Sequence, residues 1–187
     1  MSIIEIIAAI LTLVGVFLSG RQLRVNWLFG IAGAAIYTFI FYKSVLFAEA
    51  ALQVWYVVLG VMGWINWSSQ NEDFEIYHLN WRITTISTIT TVVFSIVSGR
   101  LLDVFSTSDV PYIDASLAIS GLVCTWFLAK KILENWLIWI VIDLLSTCLY
   151  IYKHLYATAG LYFILAILAA YGYQQWKKQK AVAFELL

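Results

Sequence analysis

Residues 134–150 read ENWLIWIVIDLLSTCLY, a stretch in which Glu134 and Asp143 are the only charged side chains. An apolar run of this length is typical of a membrane-spanning helix, because a helix satisfies its own backbone hydrogen bonds in lipid. The same criterion, applied to the whole chain, predicts seven spans: residues 3–19, 27–42, 47–67, 83–98, 113–129, 136–152 and 157–176. The sequence therefore predicts an all-α membrane protein.

The composition agrees with this prediction and excludes several functions. Hydrophobic residues make up 63% of the chain and charged residues only 12%, against about 25% charged residues in soluble domains. A net charge of zero argues against a nucleic-acid partner, which would need a basic excess. The chain contains no phosphate-binding loop, HExxH or GxSxG motif and no Cys/His cluster. We therefore expect neither an enzyme nor a metal or other cofactor.

The distribution of basic residues predicts the orientation in the membrane. Loops on the C-terminal side hold eight Lys and Arg residues: Arg21, Arg24, Arg82, Lys130, Lys131, Lys177, Lys178 and Lys180. The opposite side holds three: Lys43, Arg100 and Lys153. By the positive-inside rule, the C-terminus lies in the cytoplasm and the N-terminus outside. Six tryptophans near span ends predict an aromatic belt at the membrane interfaces: Trp27, Trp64, Trp67, Trp81, Trp136 and Trp176.

The chain also contains an internal repeat. The residues Asn26-Trp27-Leu28 recur as Asn135-Trp136-Leu137, and the same spacing relates Gly63 to Gly172 and Trp67 to Trp176. We call this constant spacing between corresponding residues the repeat shift. We interpret the chain as one transmembrane domain, residues 1–187, with repeat one over 1–67, a linking helix within 68–112, repeat two over 113–176 and a short cytoplasmic tail over 177–187. This is a 3+1+3 arrangement. The extra crossing makes the two three-helix repeats parallel, as in one transporter architecture with a midplane site between its halves.

The predicted sixth helix carries the most informative polar residue. Asp143 lies near its middle, where a carboxylate costs about 2.5–3.5 kcal/mol to insert, so a functional role is the default hypothesis. Helical periodicity places it on one stripe with Trp136, Trp139, Ser146, Thr147 and Tyr150. A carboxylate framed by aromatic rings suits a flat organic cation. The alternative is a structural or protonated Asp143.

A second stripe follows the predicted third helix. Gln53 and Tyr56 are candidate substrate contacts on it, because the amide both donates and accepts hydrogen bonds. Trp64 lies beside the stripe, and Tyr37 on the second helix could also reach a cavity. His78 and His154 lie in loops with no visible charge partner, which favours surface roles for both.

These residues resemble the PnuC family of bacterial vitamin transporters. The resemblance covers nearly the whole chain and is most specific in LQVWYVVLGVMGWINW (52–67) and ENWLIWIVIDLLSTCLY (134–150). It implies the 3+1+3 fold, a homotrimer in the bacterial inner membrane, and facilitated uptake of a vitamin that a cytoplasmic kinase then phosphorylates and so traps. Family substrate contacts carry over to Gln53, Tyr56, Trp136 and Trp139, with Trp55 and Trp64 as weaker candidates.

One departure from the family bears on the substrate. Nicotinamide riboside transporters of this family often carry Asn where this chain has Asp143. A carboxylate better suits a permanent cation, or an aminopyrimidine when it holds a proton, and thiamine has both groups. The sequence therefore predicts thiamine first, as in the PnuT branch, with nicotinamide riboside as the alternative. A sugar facilitator is a further alternative, since parallel three-helix repeats also serve sugars, and so is a non-transporting membrane scaffold or enzyme.

Overall fold

The structure is a computed structural model that describes residues 3–43, 46–67, 76–106 and 108–185, with side chains described as far as residue 179. It contains seven α-helices: α1 (Ile3–Gly20), α2 (Asn26–Lys43), α3 (Phe47–Asn66), α4 (Trp81–Phe105), α5 (Pro111–Ala129), α6 (Asn135–Tyr152) and α7 (Tyr156–Glu185). Over these residues the β-structure is a lone bridge between Tyr77 and Ile132. The predicted all-α class is therefore confirmed.

Six of the seven helices, α1 and α3–α7, have the length and hydropathy to cross a bilayer. The chain is therefore a multi-pass membrane protein. Helix α2 is 18 residues long, and Asn26 and Lys43 at its two ends lower its hydropathy. Its crossing, the seventh, stays a prediction.

Two helices extend well beyond the ends of their predicted spans. Helix α4 continues beyond residue 98 to Phe105, and α7 continues beyond residue 176 to Glu185. Helical hydrogen bonds form within the segment itself, so a helix can continue beyond the lipid into the polar region. On α4 the extension carries an ion pair one turn apart, in which Arg100 Nη1 lies 3.1 Å from Asp103 Oδ2. Most of the proposed tail, residues 177–187, is thus a continuation of α7.

Six of the helices form a closed ring. Helix α2 packs between α1 and α3, and α6 packs between α5 and α7. The ring closes because α1 also packs against α7, and α3 packs against α5. Helix α4 packs against α5 alone among the described helices, so it lies outside the ring.

A cluster of tryptophans forms the core of the ring. Trp27 and Trp67 meet edge to face with 5.4 Å between ring centroids and an interplanar angle of 86°. Trp136 and Trp176 meet in the same way, at 5.5 Å and 84°. Trp67 and Trp176 join the two pairs at 6.1 Å. All four indoles are buried, so the prediction that they form an interfacial belt is wrong. The indoles of the two halves pack on each other there, so the rings face the protein interior and not the lipid surface.

Glycines on α3 and α7 make room for two of these rings. A Cβ atom at Gly63 would overlap the ring of Trp27, and a Cβ atom at Gly172 would lie 2.7 Å from three ring carbons of Trp136. Such close approaches require glycine. The repeat shift carries the first contact onto the second, since it takes Trp27 onto Trp136 and Gly63 onto Gly172.

The turns before α2 and α6 also share their geometry. Gln22 and Lys131 both adopt the left-handed conformation, with φ of 56° and 55°. Asn26 and Asn135 each donate a side-chain hydrogen bond to the carbonyl three residues earlier, at 2.7 and 2.6 Å. The similarity under the repeat shift therefore extends from side chains to backbone geometry.

Candidate substrate site

The interior face of α6 carries the buried carboxylate. Asp143 is 3% exposed, whereas Val141 and Leu145 on the opposite side of the helix are more than half exposed. Within the described part of the chain, the structure gives the Asp143 carboxylate neither a hydrogen bond nor an ion pair. A buried carboxylate without a protein partner is costly. The burial of Asp143 is therefore not offset by any protein group among the described residues.

Helices α3, α5 and α6 bring two of the predicted aromatic contacts together. The hydroxyl of Tyr56, from α3, lies against the backbone of Gly121 on α5. Trp139, from α6, approaches the same glycine, with ring atom Cη2 3.5 Å from the position of a Cβ. Asp143 lies close enough to Tyr56 for the two groups to interact electrostatically. The predicted residues Tyr56, Trp139 and Asp143 thus form one group in the interior.

Helix α7 adds a tyrosine that periodicity did not identify. Tyr162 stacks on Tyr150 with ring centroids 5.2 Å apart and an interplanar angle of 16°. Tyr162 is also within electrostatic range of Asp143 and Tyr56. The repeat shift could have found it, because that shift carries the candidate Gln53 onto Tyr162. Gln53 itself is partly buried on α3, one turn before Tyr56.

Asp143 has a non-polar counterpart in the first half of the chain. The hydroxyl of Thr147 donates to the backbone carbonyl of Asp143 at 2.8 Å. The hydroxyl of Thr38 donates to the carbonyl of Ala34 at the same distance. The repeat shift carries Ala34 onto Asp143 and Thr38 onto Thr147. The local structure is therefore shared, but only the second half carries a carboxylate, and the Thr147 hydroxyl is already engaged by the backbone.

Three of the predicted substrate-contacting residues lie in other parts of the protein. Trp136 is 1% exposed within the tryptophan cluster. Trp64 is covered by Arg24, whose guanidinium carbon lies 3.7 Å from the ring centroid and whose Nε donates to the Trp64 carbonyl at 3.0 Å. Trp55 is 60% exposed, in an apolar groove between α3, α4 and α5. The structure does not bring these three residues together with Asp143.

Tyr37 lies nearer to one end of the ring. Its side chain stacks on Phe41 at 5.7 Å between centroids, and it is within electrostatic range of Glu5 on α1. At the same end of the molecule, Lys153 Nζ lies 2.9 Å from both carboxylate oxygens of Asp114. The structure therefore places Tyr37 beside Phe41 and near Glu5, and no described contact links its side chain to Asp143.

The opposite end contains an ion pair that the sequence did not reveal. His78 Nδ1 lies 2.6 Å from Glu134 Oε1, and the Leu79 amide donates to Glu134 Oε2 at 3.0 Å. The expectation that His78 has no charge partner is wrong, because 56 residues separate the two side chains in sequence. Burial raises the pKa of the Glu134 carboxyl, but the hydrogen bonds from His78 and Leu79 outweigh burial, and the pKa is lowered overall.

Comparison with known proteins identifies the family. Residues 2–178 match the family model described as nicotinamide mononucleotide transporter. The nicotinamide riboside transporter PnuC of Escherichia coli (strain K12) is 26% identical over 204 residues, covering 94% of this chain and 85% of the relative. The transporter of the same name from Shigella flexneri matches to the same extent.

A solved structure shares the fold. The crystal structure of the vitamin B3 transporter PnuC superimposes with a TM-score of 0.75 at 22% sequence identity, over 94% of this chain and 80% of that one. At that level of identity the likeness establishes the architecture, and the family match establishes kinship. The resemblance predicted from the sequence is confirmed: the chain belongs to the PnuC-containing nicotinamide mononucleotide transporter family, a family of membrane transporters rather than enzymes.

Proposed function

We propose that this protein carries nicotinamide riboside into a bacterial cell by facilitated diffusion across the inner membrane. The observation that carries the proposal is the buried, unpaired Asp143 beside Tyr56 and Trp139. The substrate named for the two relatives has a flat pyridinium ring with a permanent positive charge, and that charge would offset the burial of the carboxylate. Tyr56 and Trp139 add aromatic surface, which attracts a cation at its face.

The polar content of the interior favours passive transport. Asp143 is the one fully buried carboxylate in the described ranges, and those ranges hold no group of three metal-binding side chains. A dedicated Na⁺ coupling site would need more oxygen ligands than one carboxylate. Phosphorylation of the vitamin by a cytoplasmic kinase would then retain it in the cell without contact between the two proteins.

The proposed architecture is seven crossings in two parallel three-helix repeats, with the N-terminus outside and the C-terminus in the cytoplasm. The Trp, Gly and Asn geometry that matches under the repeat shift supports the repeats. The excess of Lys and Arg on the C-terminal side supports the orientation. The family resemblance supports a homotrimer, and α4 leaves apolar surface outside the ring where protomers could meet.

Thiamine is the second candidate substrate, since it is also a flat cation and its aminopyrimidine could form two hydrogen bonds with Asp143 when the carboxyl holds a proton. The names of the relatives favour nicotinamide riboside, which reverses the order predicted from the sequence. The carboxylate at position 143 is the observation that keeps thiamine in consideration.

A thermal-shift panel tests the proposal. Purified protein is heated with nicotinamide riboside, thiamine, riboflavin or glucose, because a ligand at 100 times its dissociation constant adds about 2.7 kcal/mol to stability. We expect stabilisation by nicotinamide riboside and, in proteoliposomes, its uptake without an ion gradient. Stabilisation by glucose alone would instead indicate a sugar facilitator, and the absence of uptake of every compound would contradict a transport function.

A further inference from the structure

Gly121 on α5 is the point at which side chains from two other helices converge. A Cβ atom at Gly121 would overlap the hydroxyl oxygen of Tyr56 from α3. The same Cβ would lie 3.5 Å from Cη2 of Trp139 on α6, which is ordinary van der Waals contact. Only a residue without a side chain therefore allows the Tyr56 hydroxyl to occupy its present position.

The α5 backbone beside Gly121 is held in place by its own contacts. The Thr125 hydroxyl donates to the Gly121 carbonyl at 2.9 Å. One turn along the same helix, the buried thiol of Cys124 donates to the carbonyl of Asn135 at the start of α6, at 3.0 Å. Because α5 is tied to α6 in this way, a methyl group at position 121 would displace Tyr56 more readily than it would displace the helix.

We propose that Gly121 is a positioning residue of the substrate site, which sets the distance between the Tyr56 hydroxyl, the Trp139 ring and Asp143. This inference rests on the proposed binding of a flat cation by those three side chains. With Tyr56 pushed aside, the aromatic and hydroxyl contacts no longer converge with the carboxylate on one ligand. Affinity falls, while the fold is retained.

Gly121 differs in this respect from other glycines of the chain. At Gly63 and Gly172 the obstacle is an indole ring fixed in the core, whereas at Gly121 it is the far end of a tyrosine side chain that can rotate. At Gly160 on α7 the position of a Cβ has no neighbour within 4 Å. Alanine is also a better helix former than glycine. Gly121→Ala should therefore leave folding intact, and Gly160→Ala provides a matched control.

The first experiment measures nicotinamide riboside affinity of the purified full-length protein by calorimetry, together with unfolding of the unliganded form. We expect Gly121→Ala to weaken binding by about tenfold, the ratio that corresponds to loss of one modest contact, with an unchanged unfolding temperature. Gly160→Ala should bind as wild type does. Equal affinity of Gly121→Ala and wild type would overturn the inference.

A double variant separates positioning from a general disturbance of α5. Tyr56→Phe removes the oxygen atom that a Cβ at position 121 would overlap, so Gly121→Ala should cost little when added to Tyr56→Phe. An equal loss in both backgrounds would assign the effect to α5 itself and contradict the inference. A wild-type protein that binds neither nicotinamide riboside nor thiamine would overturn the proposed function and this inference with it. If the wild type binds but Gly121→Ala costs the same affinity with and without Tyr56→Phe, only the inference is overturned.

Discussion

The indole of Trp136 lies across the backbone of Gly172, so closely that a methyl group there would come within 2.7 Å of three ring carbons. Both residues belong to the centre of the core, since Trp136 also meets Trp176 edge to face. The first half of the chain repeats this contact with Trp27 and Gly63. The packing within each half therefore depends on one glycine.

Gly172→Ala should destabilise the protein by about 1–3 kcal/mol, the usual cost of extra volume in a packed core. The obstacle is a ring held on several sides by other indoles, so it cannot move aside cheaply. Thermal unfolding in detergent measures the effect, with Gly30→Ala as the control because a Cβ at Gly30 has no neighbour within 4 Å. Equal unfolding temperatures for the two variants would refute this account of the core.

Trp176→Phe should cost about 1 kcal/mol more than Trp67→Phe. Trp176 Nε1 donates to the carbonyl of Ser19 at 3.0 Å, whereas Trp67 Nε1 is buried with no acceptor among the described residues. The two substitutions remove similar ring volumes, so the difference between their unfolding free energies reports the hydrogen bond. Identical losses would indicate that this bond contributes nothing to stability.

Asp143→Ala should reduce the affinity for nicotinamide riboside by tenfold or more, because each loss of about 1.4 kcal/mol in charge pairing is a factor of about ten. Asp143→Asn keeps the shape and removes the charge, and it should weaken thiamine more than nicotinamide riboside, whose carboxamide and ribose an amide can still bind. Calorimetry with both vitamins measures the two ratios. Normal binding by Asp143→Ala would show that the site lies elsewhere.

Two neighbouring residues of α3 should behave in opposite ways. Tyr56→Ala should lower the affinity because its hydroxyl lies beside Gly121 and within range of Asp143. Trp55→Ala should leave affinity unchanged, since the Trp55 side chain is 60% exposed on the outer surface. Both are measured with the same vitamin panel. A loss on removing Trp55 that matches the loss at Tyr56 would mean that the substrate approaches from the α4 side.

Glu134→Gln should weaken attachment of the loop before α4 to the start of α6 at neutral pH, by less than about 1 kcal/mol for a partly exposed pair. The folded pKa of Glu134 lies below the ordinary value of 4.5. Its contribution is therefore present above that value and is lost as pH falls through the lowered pKa. Hydrogen exchange at the Leu79 amide should separate wild type from the variant at pH 7, and the difference should shrink only once the pH falls below the lowered pKa of Glu134. A difference that is already absent well above that pKa would exclude the carboxylate as the cause.

The sequence predicted features that depend on one helix and missed those that depend on several. Periodicity placed Asp143 and Trp139 on an interior face, because a stripe is a property of a single helix. The sequence position of Trp136 near a helix end does not determine where its side chain lies, since an indole there can point toward the headgroups or across the ring. The role of Gly121 depends on contacts among α3, α5 and α6, which no pattern within one helix predicts, whereas Tyr162 on α7 could have been found through the repeat shift.

Asp143 corresponds to Ala34 under the repeat shift, and this difference between the halves affects how a bound ligand could be oriented. The two halves share the Thr-to-carbonyl hydrogen bond at this position, and under the proposed parallel repeats a flat molecule could take two poses half a turn apart. A carboxylate in one half and a methyl group in the other make those poses unequal, because only one of them brings the positive end of the molecule to the negative charge. In the proposed site, the carboxylate of the second half would therefore favour one orientation of the substrate over the other.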